Sequence, residues 1–146
     1  MSRRARIASI ALAALAFLII SGLLARWLSL ENVERDDVIA LLHAEARGDS
    51  SAMLAQLRGC QAACRAVVAT DAATLRGGGR LLILARGSAT GYSLSSNTGP
   101  TRVAWQLGTR LPVVQCVLVR RTGNALTGLR VELLAIGAPI PSQADC

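Results

Sequence analysis

The chain has 146 residues, which is enough for one domain with a short additional segment. It carries 16 basic and 9 acidic residues, every basic residue is Arg, and only 3% of the residues are aromatic. The Arg residues are scattered along the chain. A nucleic-acid interface needs clustered cations and aromatic rings on which bases stack, so this composition argues against nucleic acid as a partner.

The first element is an uncharged apolar segment, residues 7–25, with the sequence IASIALAALAFLIISGLLA. A helix of about 20 apolar residues spans a hydrocarbon core of roughly 30 Å. A cleaved secretory signal is the alternative, but its apolar region has about 7–15 residues and ends at a small-x-small site. Here the best cleavage point, after Ala25, has Leu23 where a small residue is needed. The segment therefore predicts an uncleaved, single-pass anchor that contacts the lipid bilayer.

The charges on either side of this anchor predict its orientation. Arg3, Arg4 and Arg6 precede the anchor, whereas acids dominate residues 31–37 after it. Basic flanks are retained on the cytoplasmic side of a membrane. We therefore expect the N-terminus in the cytoplasm and the rest of the protein outside the cell membrane. The predicted segments are a cytoplasmic tail at 1–6, the anchor at 7–25, a linker at 26–32 and an extracytoplasmic domain at 33–146.

Helices are predicted directly after the linker. Asn32 is placed to cap a helix over 33–47, and Asp49 to cap a short helix over 51–57. A third helix is expected over 61–76, where apolar residues recur at helical spacing before a run of glycines.

From Arg80 onward the apolar residues alternate with polar ones, which is typical of strands. Short connections rich in turn residues favour an antiparallel meander, and helices followed by strands favour an α+β domain. The predicted strands are 81–85, 91–94, 101–107, 112–121 and 129–136. The fold class is therefore α+β, with a transmembrane helix followed by two or three helices on one face of a four- or five-stranded antiparallel sheet.

Pairing Trp105 with Val114 and Leu118 with Val131 predicts which residues share a face of the sheet. The face towards the helices then holds Val103, Trp105, Val114, Cys116, Leu118, Leu129, Val131 and Leu133. The outer face then mixes apolar and polar residues: Arg102, Gln106, Val113, Gln115, Val117, Val119, Arg121, Arg130, Glu132, Leu134 and Ile136. Such a mixed face is either an ordinary exposed surface with Arg stems lying over Val, or a surface that docks a partner. The residues predicted for docking are Arg102, Gln115, Arg121, Arg130 and Glu132.

The four cysteines, Cys60, Cys64, Cys116 and Cys146, all follow the anchor. Thiols oxidise outside the cytoplasm, so an even number predicts two disulfides in preference to a zinc site or a redox dithiol. We favour 60–64, because Cys60 falls in the bend before the third helix, together with 116–146, because the C-terminal tail is long enough to fold back over the sheet. The two crossed connectivities stay open.

No catalytic, cofactor-binding or metal-binding residue is predicted. His43 is the only histidine, no GxSxG motif accompanies it, and the assignment of every thiol to a disulfide leaves it no free thiol to activate. Asp71 and Glu132 could form a carboxylate pair, but no pattern places them together. The glycine run at 77–79 precedes a strand, whereas phosphate-binding loops precede helices, so a turn is expected there. We expect the protein not to be an enzyme.

The anchor is followed by the segment EARGDSSAMLAQL, a Cys pair and strands that read TGPTRVAWQ and LPVVQCVLVRRTG. With these elements the chain resembles small, uncharacterised membrane-anchored proteins of high-GC Gram-positive bacteria. Residues 33–137 also resemble the nuclear-transport-factor-two-like (cystatin-like) fold, in which helices wrap a curved antiparallel sheet. The resemblance implies a binding or scaffold module, and it brings no catalytic residue to this chain.

Three functions are considered, and catalysis is the least favoured of them. The favoured one is a non-catalytic protein-interaction domain tethered in the cell envelope. The alternative is a small-ligand or lipid-binding domain with a pocket near Trp105 and Tyr92. A filled core beside an exposed apolar patch would favour the first, and a cavity with convergent polar groups would favour the second.

Overall fold

The structure is a computed structural model that describes residues 3–88, 96–124 and 128–146. Its contacts divide the chain into two compact units, Met1–Val33 and Glu34–Cys146.

The first helix, α1, spans Arg3–Ala46 and so contributes to both units. The linker predicted at 26–32 is helical, because this stretch contains no Gly or Pro that would interrupt a helix. In the first unit, Arg6–Ala25 is long and apolar enough to cross a membrane, and none of it is buried against protein. A signal sequence near the N-terminus passes the same test of length and hydropathy, so Arg6–Ala25 is a candidate span by these two properties.

The part of α1 in the second unit has one buried face. Glu34, Val38, Leu41, Leu42 and Glu45 are all fully buried. They follow one another at intervals of four, three, one and three residues, which places them on one side of a helix. The sheet therefore packs against a face that carries three aliphatic side chains between two glutamates.

Glycine ends α1. Gly48 has a φ of 71°, and its N–H donates to the carbonyl of Glu45 at 2.8 Å. A Cβ at this position would lie 2.9 Å from the backbone oxygen of Ala72, so a larger residue would clash as well as strain the backbone. Asp49 then caps the next helix, accepting from the N–H of Ala52 at 2.9 Å as predicted.

Two further helices complete the helical layer of the described residues. The short α2 spans Ser50–Gln56 and buries Met53, while α3 spans Ala62–Thr74 and buries Val68 and Ala72. Both lie within two residues of their predicted bounds.

The described strands form one antiparallel sheet in the order β1-β2-β3-β4. Their bounds are Leu81–Ser88 for β1, Ser96–Leu107 for β2, Val113–Asn124 for β3 and Gly128–Ile136 for β4. The α+β class and the meander are thus confirmed. The strand predicted at 91–94 lies outside the described residues.

The predicted register between β2 and β3 is wrong by one residue. Trp105 pairs with Val113 and not with Val114. Because side chains alternate along a strand, this slip turns every residue of β3 to the other face. The side chains on the helix side are therefore Val113, Gln115, Val117, Val119 and Arg121, and those on the outer side are Val114, Cys116 and Leu118. The pattern could not decide between these registers, because both sets contain three or more apolar side chains.

The predicted pairing of Leu118 with Val131 is also wrong, because Val131 pairs with Arg121, three residues further along β3, and β4 contains an irregularity as well. Val119 pairs with Leu133, but Leu118 pairs with Ala135, so Leu134 is an extra residue in β4. Such a bulge changes which side chains face the core. Leu133 therefore faces the helices as predicted, and Ile136, predicted for the outer face, joins it in the core.

Both disulfides form in the favoured connectivity. Cys60 is bonded to Cys64 across the start of α3, with the Cα atoms 5.2 Å apart. Cys116 on β3 is bonded to Cys146 at the end of the tail, with the Cα atoms 5.7 Å apart. The second bond holds the tail against the outer face of the sheet.

Candidate functional site

The five predicted docking residues do not share a surface. Arg102, Arg130 and Glu132 belong to the outer face, whereas Gln115 is fully buried on the helix side and Arg121 binds a glutamate of α1. The prediction of a single docking face is therefore wrong, and the register of β3 is the reason.

The C-terminal tail occupies part of the outer face. The N–H of Ile140 donates to the carbonyl of Val114 at 2.8 Å. Arg102 donates to two tail carbonyls, from Nε to Ala144 at 3.0 Å and from Nη2 to Ser142 at 2.5 Å. Arg102 thus fastens the tail of its own chain, which removes it from the surface predicted to meet a partner.

Glu34 is the centre of a first buried polar cluster. Its Oε2 accepts from Nε of Arg121 at 2.8 Å and also from Nη2 of the same residue. Its Oε1 accepts from the hydroxyl of Thr101 at 2.6 Å and lies 3.5 Å from Nη1 of Arg86. A buried carboxylate is tolerated when its oxygens are paired in this way. The cluster joins α1 to three strands, and its arrangement indicates a structural role.

Gln115 is the centre of a second buried cluster. Its Oε1 accepts from the indole N–H of Trp105 at 2.7 Å. Its Nε2 donates to Oε1 of Glu45 at 2.8 Å and to Oδ2 of Asp71 at 3.1 Å. Two carboxyl groups from different helices therefore share one amide inside the domain.

Burial shifts the acidity of both carboxyl groups in this second cluster. Loss of hydration raises the pKa of Glu45 to about 7, against the lowering effect of the Gln115 hydrogen bond and with a further increase from the charge of Asp71. Loss of hydration likewise raises the pKa of Asp71 to about 6. Within the described residues, Oε2 of Glu45 has no hydrogen-bond partner, so the charged carboxylate is disfavoured and Glu45 is mainly protonated below about pH 7.

Paired carboxyl groups with raised pKa values can perform acid–base catalysis when a substrate reaches them. Here Glu45 is fully buried and Asp71 is only 2% exposed, so the cluster can hold or release a proton but is closed to a substrate in this structure. The pair considered from the sequence, Asp71 with Glu132, is not brought together, because Glu132 lies on the outer face near Arg120. The sequence alone did not identify Glu45 as a site residue. The position of Glu45 among the buried apolar residues of α1 is the feature that could have identified it as a buried acid.

A surface cleft of about 410 Å³ lies at the junction of α1 with the turn before β1. Basic, small and aliphatic residues form its walls: His43, Ala46, Arg47, Gly77, Gly79, Arg80, Leu81 and Leu107. It is separate from the pocket predicted near Trp105 and Tyr92. Trp105 is 1% exposed and bonded to Gln115, so its ring does not line an open pocket, and Tyr92 lies outside the described residues.

An exposed apolar strand lies at one edge of the sheet. Among the described strands, β1 pairs only with β2. Leu82 is 41%, Ile83 36% and Leu84 51% exposed, although these are three consecutive large aliphatic residues. Unpaired strand edges with apolar side chains are where another chain adds most readily.

Within the described residues there is no group of three or more His, Cys, Asp or Glu that could hold a metal ion. Comparison of the chain with protein-family models, with curated proteins and with solved structures finds no match. The function must therefore be argued from the membrane-length helix, the disulfides, the cleft and the exposed edge.

Proposed function

We propose that this protein is a single-pass membrane protein whose disulfide-bonded domain lies on the extracytoplasmic side, binds another protein of the cell envelope and has no catalytic role. The apolar segment of α1 supports the membrane attachment, and two disulfides support an oxidising compartment.

The observation that carries the protein-binding part is the edge of β1 that no other described strand covers. Residues from all three helices and from the sheet fill the core of the second unit, yet Leu82, Ile83 and Leu84 remain at the surface. Soluble domains usually protect such an edge with charges, proline or a covering loop. The three aliphatic side chains carry no charge or proline, and the irregularity of β1 at Leu84, between Ile83 and Ala85, leaves all three of them exposed.

The partner that fits this edge is an extended, apolar segment of a different protein. Adding a strand satisfies the backbone groups of the edge through main-chain hydrogen bonds, while alternate side chains supply specificity. Arg80 immediately before β1 adds a positive charge, which favours an acid at the matching end of the partner segment.

A photo-crosslinking amino acid at position 82 or 84 of the full chain, in native membranes, tests this proposal. We expect one discrete adduct from each position, with the crosslink mapped by mass spectrometry to an extended apolar segment of the partner. The double variant Leu82→Lys and Leu84→Lys should abolish the adduct formed from position 83, because charges block strand addition at an edge.

Leu111 provides the matched control, since it is a large apolar residue that is 86% exposed outside any strand. A crosslinker at position 111 should give no adduct with the partner. Equal adducts from 111 and 84 would overturn the assignment of the edge. An adduct between two copies of this chain would replace the proposed partner with self-association.

A further inference from the structure

The cleft beside β1 shares Arg80 with the end of the proposed docking edge and adds His43 and Arg47, which the proposed interaction does not use. His43 lies in the last turn of α1, Arg47 directly follows this helix, and Arg80 comes from the segment before β1. These residues are exposed, and they approach the same space of about 410 Å³ from two different elements. That volume falls within the range of small-molecule sites.

The two arginines of the cleft lack acidic partners at contact distance. Within the described residues, neither Arg47 nor Arg80 has a salt bridge to a carboxylate. The acids nearest to Arg47 in the sequence are Glu45, which is buried, and Asp49. The Oδ1 of Asp49 accepts from the N–H of Ala52 at 2.9 Å and from the hydroxyl of Ser51 at 2.7 Å, and these bonds lower the pKa of Asp49 more than the charge of Arg47 does. Asp49 therefore serves mainly as the cap of α2, and the cleft keeps an excess of positive charge.

Neutralisation of a helix end is the ordinary explanation for cations at this place, because the C-terminus of α1 carries a partial negative charge. Its carbonyls are, however, already paired with backbone groups. The carbonyl of Ala44 accepts from Asp49 N–H at 3.0 Å, and the carbonyl of Ala46 accepts from Gly77 N–H at 3.0 Å. The guanidinium groups of Arg47 and Arg80 are consequently not required as caps.

We infer that this cleft binds a small oxyanion, either the phosphate or the carboxylate head of an organic molecule. Guanidinium groups match the geometry of both heads and form charge-assisted hydrogen bonds with them, and an imidazole adds a further donor. The apolar walls at Leu81 and Leu107 provide contact for the organic part.

His43 provides the readout, because it is the only histidine in the chain. The experiment uses the full chain without a histidine tag, in maltoside micelles and a low-chloride buffer. The ring signals of His43 are followed by NMR as inorganic phosphate, glycerol 3-phosphate or succinate is added to about 20 mM, well above a millimolar dissociation constant. We expect a saturable shift of these signals with at least one of the three anions.

Arg47→Gln and Arg80→Gln should each weaken the apparent affinity about three- to tenfold, the effect of losing one charge-assisted hydrogen bond at a solvent-facing site. The matched control is Arg130→Gln, which removes the same charge from an exposed position on β4. It should change the affinity less than about twofold, since distant exposed charges are screened. Unchanged melting temperatures establish that the variants remain folded.

The inference is overturned if none of the anions produces a saturable shift in the folded wild-type chain. It is also overturned if Arg130→Gln weakens binding as much as the cleft variants do, because the effect would then be one of net charge. Nanodiscs with and without phosphatidylglycerol identify the source of the oxyanion. If nanodiscs with phosphatidylglycerol shift the His43 signals before any soluble anion is added, the site is assigned to a lipid headgroup. If these nanodiscs cause no shift, the site is assigned to a soluble molecule.

Discussion

Gln115 supplies the hydrogen-bond partner of three polar side chains in the interior of the domain. Its amide oxygen accepts from Trp105 and its amide nitrogen donates to Glu45 and Asp71, so each side of the amide has a defined partner. A buried polar group that is paired in this way costs little, whereas one that loses its partner costs about 1–3 kcal/mol. The orientation of one side chain therefore stabilises an indole and two carboxyl groups at once.

The first prediction concerns pH and stability. The folded protein raises the pKa of Glu45 from 4.5 to about 7 and that of Asp71 from 3.8 to about 6, so the folded state binds protons more tightly than the unfolded state. The stabilisation is complete below about pH 4 and is lost as the pH rises through about 6 and 7. The free energy of unfolding of the full chain should fall by a few kcal/mol between pH 5 and pH 8, since each pKa unit corresponds to about 1.4 kcal/mol.

Glu45→Gln isolates the contribution of this residue. The amide keeps the shape of the carboxyl and does not ionise, so the loss of stability between pH 5 and pH 8 should shrink by about two thirds. Urea unfolding at several pH values measures the effect, and Glu132→Gln on the outer face is the control that should retain the wild-type dependence. A Glu45→Gln variant with the wild-type dependence would contradict the assignment.

At the scale of elements, local signals and long-range contacts were predictable to different degrees. The cap at Asp49 and the stop at Gly48 were visible in the sequence, because both act within a few residues of their own position. The face of β3 was not visible, because either register would bury aliphatic side chains. The choice depends on Gln115 and Arg121, which meet buried carboxylates of α1 in the observed register.

The C-terminal tail is a second element whose role tertiary structure defines. It is held by a disulfide at its end, by Arg102 and by one backbone hydrogen bond to β3. Replacing both Cys116 and Cys146 by Ser should release it. The bond closes a separation of 30 residues, so we expect a loss of about 3.5 kcal/mol in the free energy of unfolding. Hydrogen exchange of the Ile140 amide should become fast in the same variant.

The other disulfide is the control for this prediction. Cys60 and Cys64 are separated by 4 residues, and the same entropic relation gives about 2 kcal/mol for so short a loop. Replacing this pair by Ser should leave Ile140 protected from exchange. A larger loss of stability from the short loop than from the long one would show that the tail contributes little.

At the scale of the whole molecule, the placement of the domain across the membrane is the main proposal to test. Alkaline phosphatase fused after Cys146 should be active, because the enzyme requires an oxidising compartment. Replacement of Arg3, Arg4 and Arg6 by Glu should reduce or invert the orientation, as the positive-inside rule requires. An inactive phosphatase together with a fluorescent cytoplasmic reporter at the same site would contradict an extracytoplasmic domain.

The sequence alone determined the features that arise from neighbouring residues: the membrane-length apolar segment, the order of helices and strands, the cap at Asp49 and the presence of four oxidisable cysteines. The cap predicted at Asn32 is wrong, because Asn32 lies inside α1. The tertiary structure decided the faces of β3, the use of Arg102 by the tail and the sharing of Gln115 by Glu45 and Asp71. Gln115 lies 70 positions from Glu45 and 44 from Asp71, so no local pattern records that these side chains meet. Registers and buried polar networks are selected by the free energy of the whole packed domain, in which each buried polar group must find a partner.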